Sequence, residues 1–78
     1  MALEAEFTVE PFREGAPGPH VEAALVAARD AGFDPDFGPL GTTIRGDDRV
    51  ILDALDAVLR AAIANGATRV AVQLTRVD

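Results

Sequence analysis

Alternation between apolar and polar side chains over residues 3–10 constrains the fold more than any other feature of the sequence. The apolar positions are Leu3, Ala5, Phe7 and Val9, and the polar positions are Glu4, Glu6, Thr8 and Glu10. Successive side chains of a strand point to opposite faces, so the pattern predicts a strand with one buried and one polar face. Pro11 ends it. Residues 69–77 alternate in the same way and predict a second such strand, with its apolar side at Val70, Val72 and Leu74.

Two segments between these strands have apolar residues at helical spacing. Residues 19–31 begin with a proline, which suits the first turn of a helix, and Gly32 follows them as a stop signal. Their apolar stripe is Val21, Ala24, Leu25 and Ala28. Residues 47–65 predict a longer helix, with Asp47 and Asp48 at its start, where the helix dipole favours acids. Its wider stripe is Ile51, Leu55, Val58, Leu59 and Ala62.

Two short β-rich segments, residues 33–37 and 42–45, lie between the helices and predict a hairpin around the GPLG turn. Gly46 is expected to interrupt the second of them. The resulting order βαββαβ predicts an α+β, ferredoxin-like sandwich, in which a four-stranded antiparallel sheet of order 4-1-3-2 carries both helices on one face. A chain of 78 residues fits one such ligand-binding domain, residues 1–78.

The sheet face opposite the helices is expected to be polar, because nothing else in the sequence can cover it. Its predicted residues are Glu4, Glu6, Thr8, Thr43, Arg45, Gln73 and Thr75. This face could be solvated, or it could pack on another subunit and enclose a polar site. Arg45 and Glu6 are expected on adjacent strands, close enough for a cross-strand ion pair.

The amino-acid composition limits the classes of partner and metal site that the chain can have. The chain has thirteen acidic and seven basic residues, which gives a net charge of −6. This negative charge argues against nucleic acid as a partner. The chain has no cysteine and a single histidine, His20, so neither disulfides nor a Cys/His zinc site is available. A core of this size supplies roughly 3–5 kcal/mol, so a homo-oligomer is expected as further support. Neither a signal-peptide pattern nor a run of ~20 apolar residues occurs, which predicts a cytoplasmic protein without membrane contact.

Three segments carry a resemblance to a known family. AEFTVEP at residues 5–11, GPLGTTIRG at residues 38–46 and GATRV at residues 66–70 resemble, in order and spacing, the thiamine-binding, YkoF-like protein family. The resemblance covers nearly the whole chain, and the Gly-Pro-Leu-Gly-Thr segment is its most specific part. It implies a ferredoxin-like fold, a homodimer or tetramer built from paired sheets, and a site for thiamine or its pyrimidine part.

The candidate ligand-binding residues follow from the polar face and this resemblance together. They are Glu6, Thr8, Thr43 and Arg45, with Phe37 as a stacking ring. Arg45 departs from the family pattern, which usually has glutamate at that position. An acid would suit a cationic ligand such as thiamine, whereas a guanidinium would suit it only if Glu6 or another acid neutralises it.

Catalytic chemistry has little support in the sequence. His20 is expected to be exposed in the first turn of its helix, and helix capping explains the two aspartates at 47 and 48 better than a cation site does. Arg13 precedes the GAPGP segment, whose prolines remove backbone donors, so a phosphate cradle is not expected there. No cofactor and no metal are predicted.

Three hypotheses remain: a non-catalytic carrier or sensor of thiamine-like molecules, a structural or regulatory oligomeric subunit without a ligand, and a small hydrolase that depends on His20 or Arg13. The first is favoured.

Overall fold

Antiparallel pairing on both sides of the first strand organises the molecule. A computed structural model of the chain describes residues 1–11, 18–37 and 41–77. The elements in chain order are β1 (Ala2–Glu10), α1 (Pro19–Asp30), β2 (Asp36–Phe37), β3 (Thr42–Asp47), α2 (Asp48–Ala64) and β4 (Arg69–Arg76). The strands lie in the order β2-β3-β1-β4, and each neighbouring pair is antiparallel. The predicted α+β class, with two helices and an antiparallel sheet, is confirmed.

The core lies between one face of the sheet and the two helices. The four apolar residues of β1, Leu3, Ala5, Phe7 and Val9, are all buried, as the alternation predicts. Ile44 of β3 joins them from the neighbouring strand. The helices contribute Val21, Ala24, Leu25 and Ala28 from α1, and Ile51, Ala54, Leu55, Val58 and Ala62 from α2. Burial of these side chains supplies the main driving force for folding.

The start of α2 differs from the prediction. Gly46 does not interrupt β3; the strand continues to Asp47, and α2 begins at the next residue without a loop. A Cβ at Gly46 would lie 3.0 Å from the ring of Phe33, so glycine makes room for that ring within the strand. The side chain of Asp47, the residue before the helix, makes no capping hydrogen bond.

The prediction that Leu59 belongs to the buried stripe of α2 is wrong. Leu59 is 38% exposed, whereas Ala54, which the stripe omitted, is fully buried. The stripe that packs on the sheet is therefore narrower than the pattern indicated. Leu59 instead lies with Ile63 on the outer side of the helix, around an open hollow.

The hairpin after α1 is shorter than predicted, because β2 contains only two residues. The amide of Phe33 donates to the carbonyl oxygen of Ala28 at 3.1 Å, which ties it to the end of α1 instead of to the sheet. Pro35 has no amide hydrogen to offer to a neighbouring strand. Residues 38–40 of the predicted turn lie outside the described residues.

The apolar side of β4 is also less covered than expected. Val72 is opposite Phe7 and Leu74 is opposite Ala5, so both lie on the helix side of the sheet. They nevertheless remain 41% and 45% exposed, because β4 is the last strand of the sheet and the helices cover it only in part. Val70 is the β4 residue that packs against the core.

Within the described ranges, neither helix has the length and apolar character that a membrane crossing requires.

Candidate functional site

The polar side of the sheet forms a continuous surface across three strands, here called the open face. The even-numbered residues of β1 define it, together with the residues paired to them. Glu4 lies between Arg45 and Thr75, Glu6 lies between Thr43 and Gln73, and Glu10 is opposite Arg69. Thr8 is opposite Ala71. The structure therefore brings four of the five candidate residues, Glu6, Thr8, Thr43 and Arg45, to one face.

The predicted ion pair between Arg45 and Glu6 is wrong. The register places Arg45 opposite Glu4, and their side chains meet with Nη2 of Arg45 2.8 Å from Oε2 of Glu4. Glu6 is instead opposite Thr43, two residues along the strand. The guanidinium of Arg45 is thus neutralised by Glu4.

The three carboxylates that β1 contributes to the open face differ in their partners. Glu4 pairs with Arg45, and Glu10 pairs with Arg69 at 3.5 Å. Glu6 is exposed and has no ion-pair partner among the described residues. Within β1, the uncompensated negative charge is therefore concentrated at Glu6, in the middle of the strand.

A depression of ≈ 220 Å³ surrounds this carboxylate. It is lined by Glu4, Glu6, Gln73 and Thr75. An amide, a hydroxyl and two carboxylates can accept hydrogen bonds from a ligand, and the amide and hydroxyl can also donate them. Gln73 and Thr75 were not candidate site residues, although the alternation of residues 69–77 already placed them on the polar face.

The remaining candidates are not among the residues that line the depression. A Cβ at Gly41 would lie 3.2 Å from the carbonyl oxygen of Phe7 and 3.3 Å from Oγ1 of Thr8. The backbone at Gly41 therefore passes close to β1. Phe37 is opposite Thr42, in the register row of Phe7, and not in the row of Thr43 and Glu6. Its side chain lies outside the described part of the structure, so its role as a stacking ring stays a prediction.

The prediction that His20 is exposed is wrong. Its side chain is only 6% exposed, on α1, on the other side of the sheet from Glu6. Nε2 of His20 donates to the carbonyl oxygen of Pro11 at 2.5 Å. The ring thus connects the start of α1 to the end of β1, away from the open face. Arg13, the other residue of the hydrolase hypothesis, lies outside the described residues.

Within residues 1–11, 18–37 and 41–77, no group of three or more histidine, cysteine or acidic side chains is placed to hold a metal ion. The open face instead presents carboxylates, hydroxyls, an amide and a guanidinium, which form hydrogen bonds and ion pairs.

An antiparallel sheet covered by helices on one side, with a polar surface on the other, defines a two-layer α+β domain. Within that class, the family model of the thiamine-binding proteins matches residues 5–78. The chain belongs to the thiamine-binding protein family.

Solved structures share this fold. A domain of unknown function, DUF77, from Bacillus cereus has a TM-score of 0.70 at 22% identity, over 96% of this chain and 73% of its own. A Thermotoga maritima protein whose name refers to thiamine biosynthesis or salvage has a TM-score of 0.68 at 21% identity, over 96% and 81%. A Streptococcus pneumoniae protein reaches 0.73 at 16% identity, over 96% and 83%. No curated protein matches the chain.

Proposed function

We propose that the protein binds thiamine, or its hydroxymethylpyrimidine part, non-covalently on the open face and catalyses no reaction. The family and the name of the Thermotoga maritima relative support this ligand class. The scaffold in this proposal is a ferredoxin-like sandwich of strand order 4-1-3-2. In this proposal Glu6, Thr8, Thr43 and Arg45 contribute to the site, and Phe37 is its stacking ring.

The observation that carries the proposal is the unpaired carboxylate of Glu6. Thiamine contains a positively charged thiazolium ring, and a carboxylate without a competing arginine attracts such a cation. Arg45 does not oppose this attraction, because its charge is already balanced by Glu4 at 2.8 Å. Gln73 and Thr75 offer the hydrogen-bonding groups that an aminopyrimidine requires.

The size of the depression supports a site shared between subunits. Small-molecule pockets usually have volumes of about 300–1,000 Å³ and enclose most of the ligand. The depression on one copy, at ≈ 220 Å³, is smaller and open to one side. In the proposed homo-oligomer, a dimer or tetramer, a second copy of the open face closes over the ligand and completes the enclosure.

Isothermal titration with thiamine and, separately, with neutral hydroxymethylpyrimidine tests the proposal. We expect saturable binding near one ligand per subunit or per dimer. Thiamine should bind more tightly than the pyrimidine and should weaken more as salt is raised, because only its contact with Glu6 is between charges. Absence of heat with both compounds would overturn the proposal and favour the alternative of a structural or regulatory subunit without a small ligand.

A further inference from the structure

The side-chain amide of Gln73 is an unused hydrogen-bonding group on the open face. Gln73 is exposed and lies directly opposite Glu6 in the register of β1 and β4. Within residues 1–11, 18–37 and 41–77, its side chain has no hydrogen-bond partner. Both Gln73 and Glu6 line the depression. A planar amide is therefore available to a ligand beside the carboxylate of Glu6.

The register keeps these two side chains within reach of one ring. The amide of Val77 donates to the carbonyl oxygen of Ala2 at 3.1 Å. Pairs alternate along an antiparallel ladder, so Glu6 and Gln73 also form a hydrogen-bonded pair, with Cα atoms about 5.5 Å apart. The preceding open-face residue of β4 is Ala71, whose side chain is a methyl group. A flat ring can therefore lie over Glu6 and Gln73 without displacing a larger β4 side chain on that side.

Gln73 differs from the other lining residues in the hydrogen bonds that it can form. Its amide has an acceptor, Oε1, and a donor, Nε2, side by side in one plane. The carboxylates of Glu4 and Glu6 only accept hydrogen bonds when ionised, and Thr75 has a single oxygen for both roles. An aminopyrimidine presents an amino group next to a ring nitrogen, and glutamine pairs with the corresponding edge of adenine through two hydrogen bonds. Gln73 is thus the lining residue that matches this edge with both of its groups.

The carboxylate of Glu6 determines which way round the amide binds. Rotation of the amide by half a turn exchanges its donor and acceptor, so Gln73 alone would also pair with a pyrimidine that has an oxo group in place of the amino group. Glu6 can accept the second hydrogen of an amino group, whereas its negative charge repels an oxo oxygen at the same position. The two residues together therefore favour the amino form.

We propose that Gln73 and Glu6 make the open face selective for an aminopyrimidine edge over an oxopyrimidine edge. Oε1 of Gln73 accepts one hydrogen of the amino group, Nε2 of Gln73 donates to the adjacent ring nitrogen, and Glu6 accepts the second amino hydrogen. This inference rests on the proposed function and assigns the residues that distinguish the pyrimidine part of the ligand. A site built for such hydrogen bonds rejects an analogue that leaves its polar groups mismatched.

Titration with thiamine and oxythiamine tests the selectivity, because oxythiamine has an oxo group in place of the amino group and the same thiazolium charge. We expect oxythiamine to bind the unmodified protein about tenfold more weakly than thiamine, at low and at high salt. Gln73→Met keeps the length of the side chain and removes both hydrogen-bonding groups. It should weaken thiamine binding by about tenfold and lessen the preference over oxythiamine. Glu6→Gln should also lessen this preference, because its amide can donate to an oxo oxygen.

Val72→Met is the matched control, since it places the same residue on the other face of β4 and should change neither affinity. Equal binding of thiamine and oxythiamine to the unmodified protein would overturn this inference and leave the proposed function standing. An unchanged preference in Gln73→Met would do the same. Absence of binding of both compounds to the unmodified protein would overturn the proposed function, and this inference with it.

Discussion

Glu4 and Arg45 form the ion pair that sets the charge of the open face. Their side chains meet at 2.8 Å across the β1–β3 register, with Glu4 one-third exposed and Arg45 two-thirds exposed. The pair balances one negative and one positive charge and leaves Glu6 as the β1 carboxylate of this face without an ion-pair partner among the described residues. A residue that departs from the family pattern thus changes the local charge without removing the acidic centre.

Replacement of Glu6 tests the centre of the site. Glu6→Gln keeps the shape of the side chain and removes its charge, so we expect thiamine affinity to fall about tenfold, or ~1.4 kcal/mol. Glu22→Gln, at an exposed acid on α1, makes the same change in net charge away from the face and should leave affinity unchanged. Isothermal titration measures both. Equal losses would mean that overall charge, and not Glu6, attracts the ligand.

Opposite changes in affinity are expected from the two members of the ion pair. Arg45→Gln frees the carboxylate of Glu4 and should strengthen thiamine binding, whereas Glu4→Gln leaves the guanidinium unpaired and should weaken it. Each change should be at most about fivefold, since exposed ion pairs contribute up to ~1 kcal/mol. Titrations at low and high salt check the sign and the electrostatic origin. Changes of the same sign would contradict the compensating role of Arg45.

Loss of the hydrogen bond from His20 should destabilise the fold. His20→Leu retains bulk but leaves the carbonyl oxygen of Pro11 without this donor, and we expect the free energy of unfolding to fall by about 1–3 kcal/mol. His20→Gln retains a donor and should lose less. Urea denaturation at a fixed protein concentration measures both. Thiamine affinity of the folded His20→Leu protein should be unchanged, because the ring lies on α1 and not on the open face.

Two leucines one turn apart on α2 provide a matched test of the core. Leu55 is buried and Leu59 is 38% exposed. Leu55→Ala should lower the free energy of unfolding by about 2–5 kcal/mol, because it leaves a cavity. Leu59→Ala should change it by less than ~1 kcal/mol. Comparable losses in urea denaturation would show that Leu59 packs in the core, as the helical pattern alone indicated.

The sequence predicts which residues of β1 lie on each face of the sheet. It does not predict the register, that is, which residues of the neighbouring strands lie opposite them. Alternation assigns each residue to a face, and a shift of one residue would bury Glu4 and Glu6, so the choice of face is strongly specified. A shift of two residues keeps every side chain on the same face and changes only which residue lies opposite. For this reason Arg45 was correctly placed on the open face but paired with the wrong glutamate.

The burial of His20 could have been predicted from the helical period. His20 precedes Ala24 and Ala28 by four and eight residues, so it continues the buried stripe of α1. Its position beside Pro19 at the helix start suggested exposure instead. The exposure of Val72 and Leu74 could not be read from the pattern, since it depends on how far the helices extend across the sheet. That extent is set by contacts between distant parts of the chain.

The regular division of β1 between its two faces also bears on how this family can diversify. Odd-numbered residues of the strand hold the protein together, while even-numbered residues determine the charge of the surface. Mutations at even positions can therefore accumulate without loss of core packing, and the charge of the surface can change at Glu4 or Glu6 with little loss of stability. The same strand allows conservation on one side and rapid evolutionary change on the other.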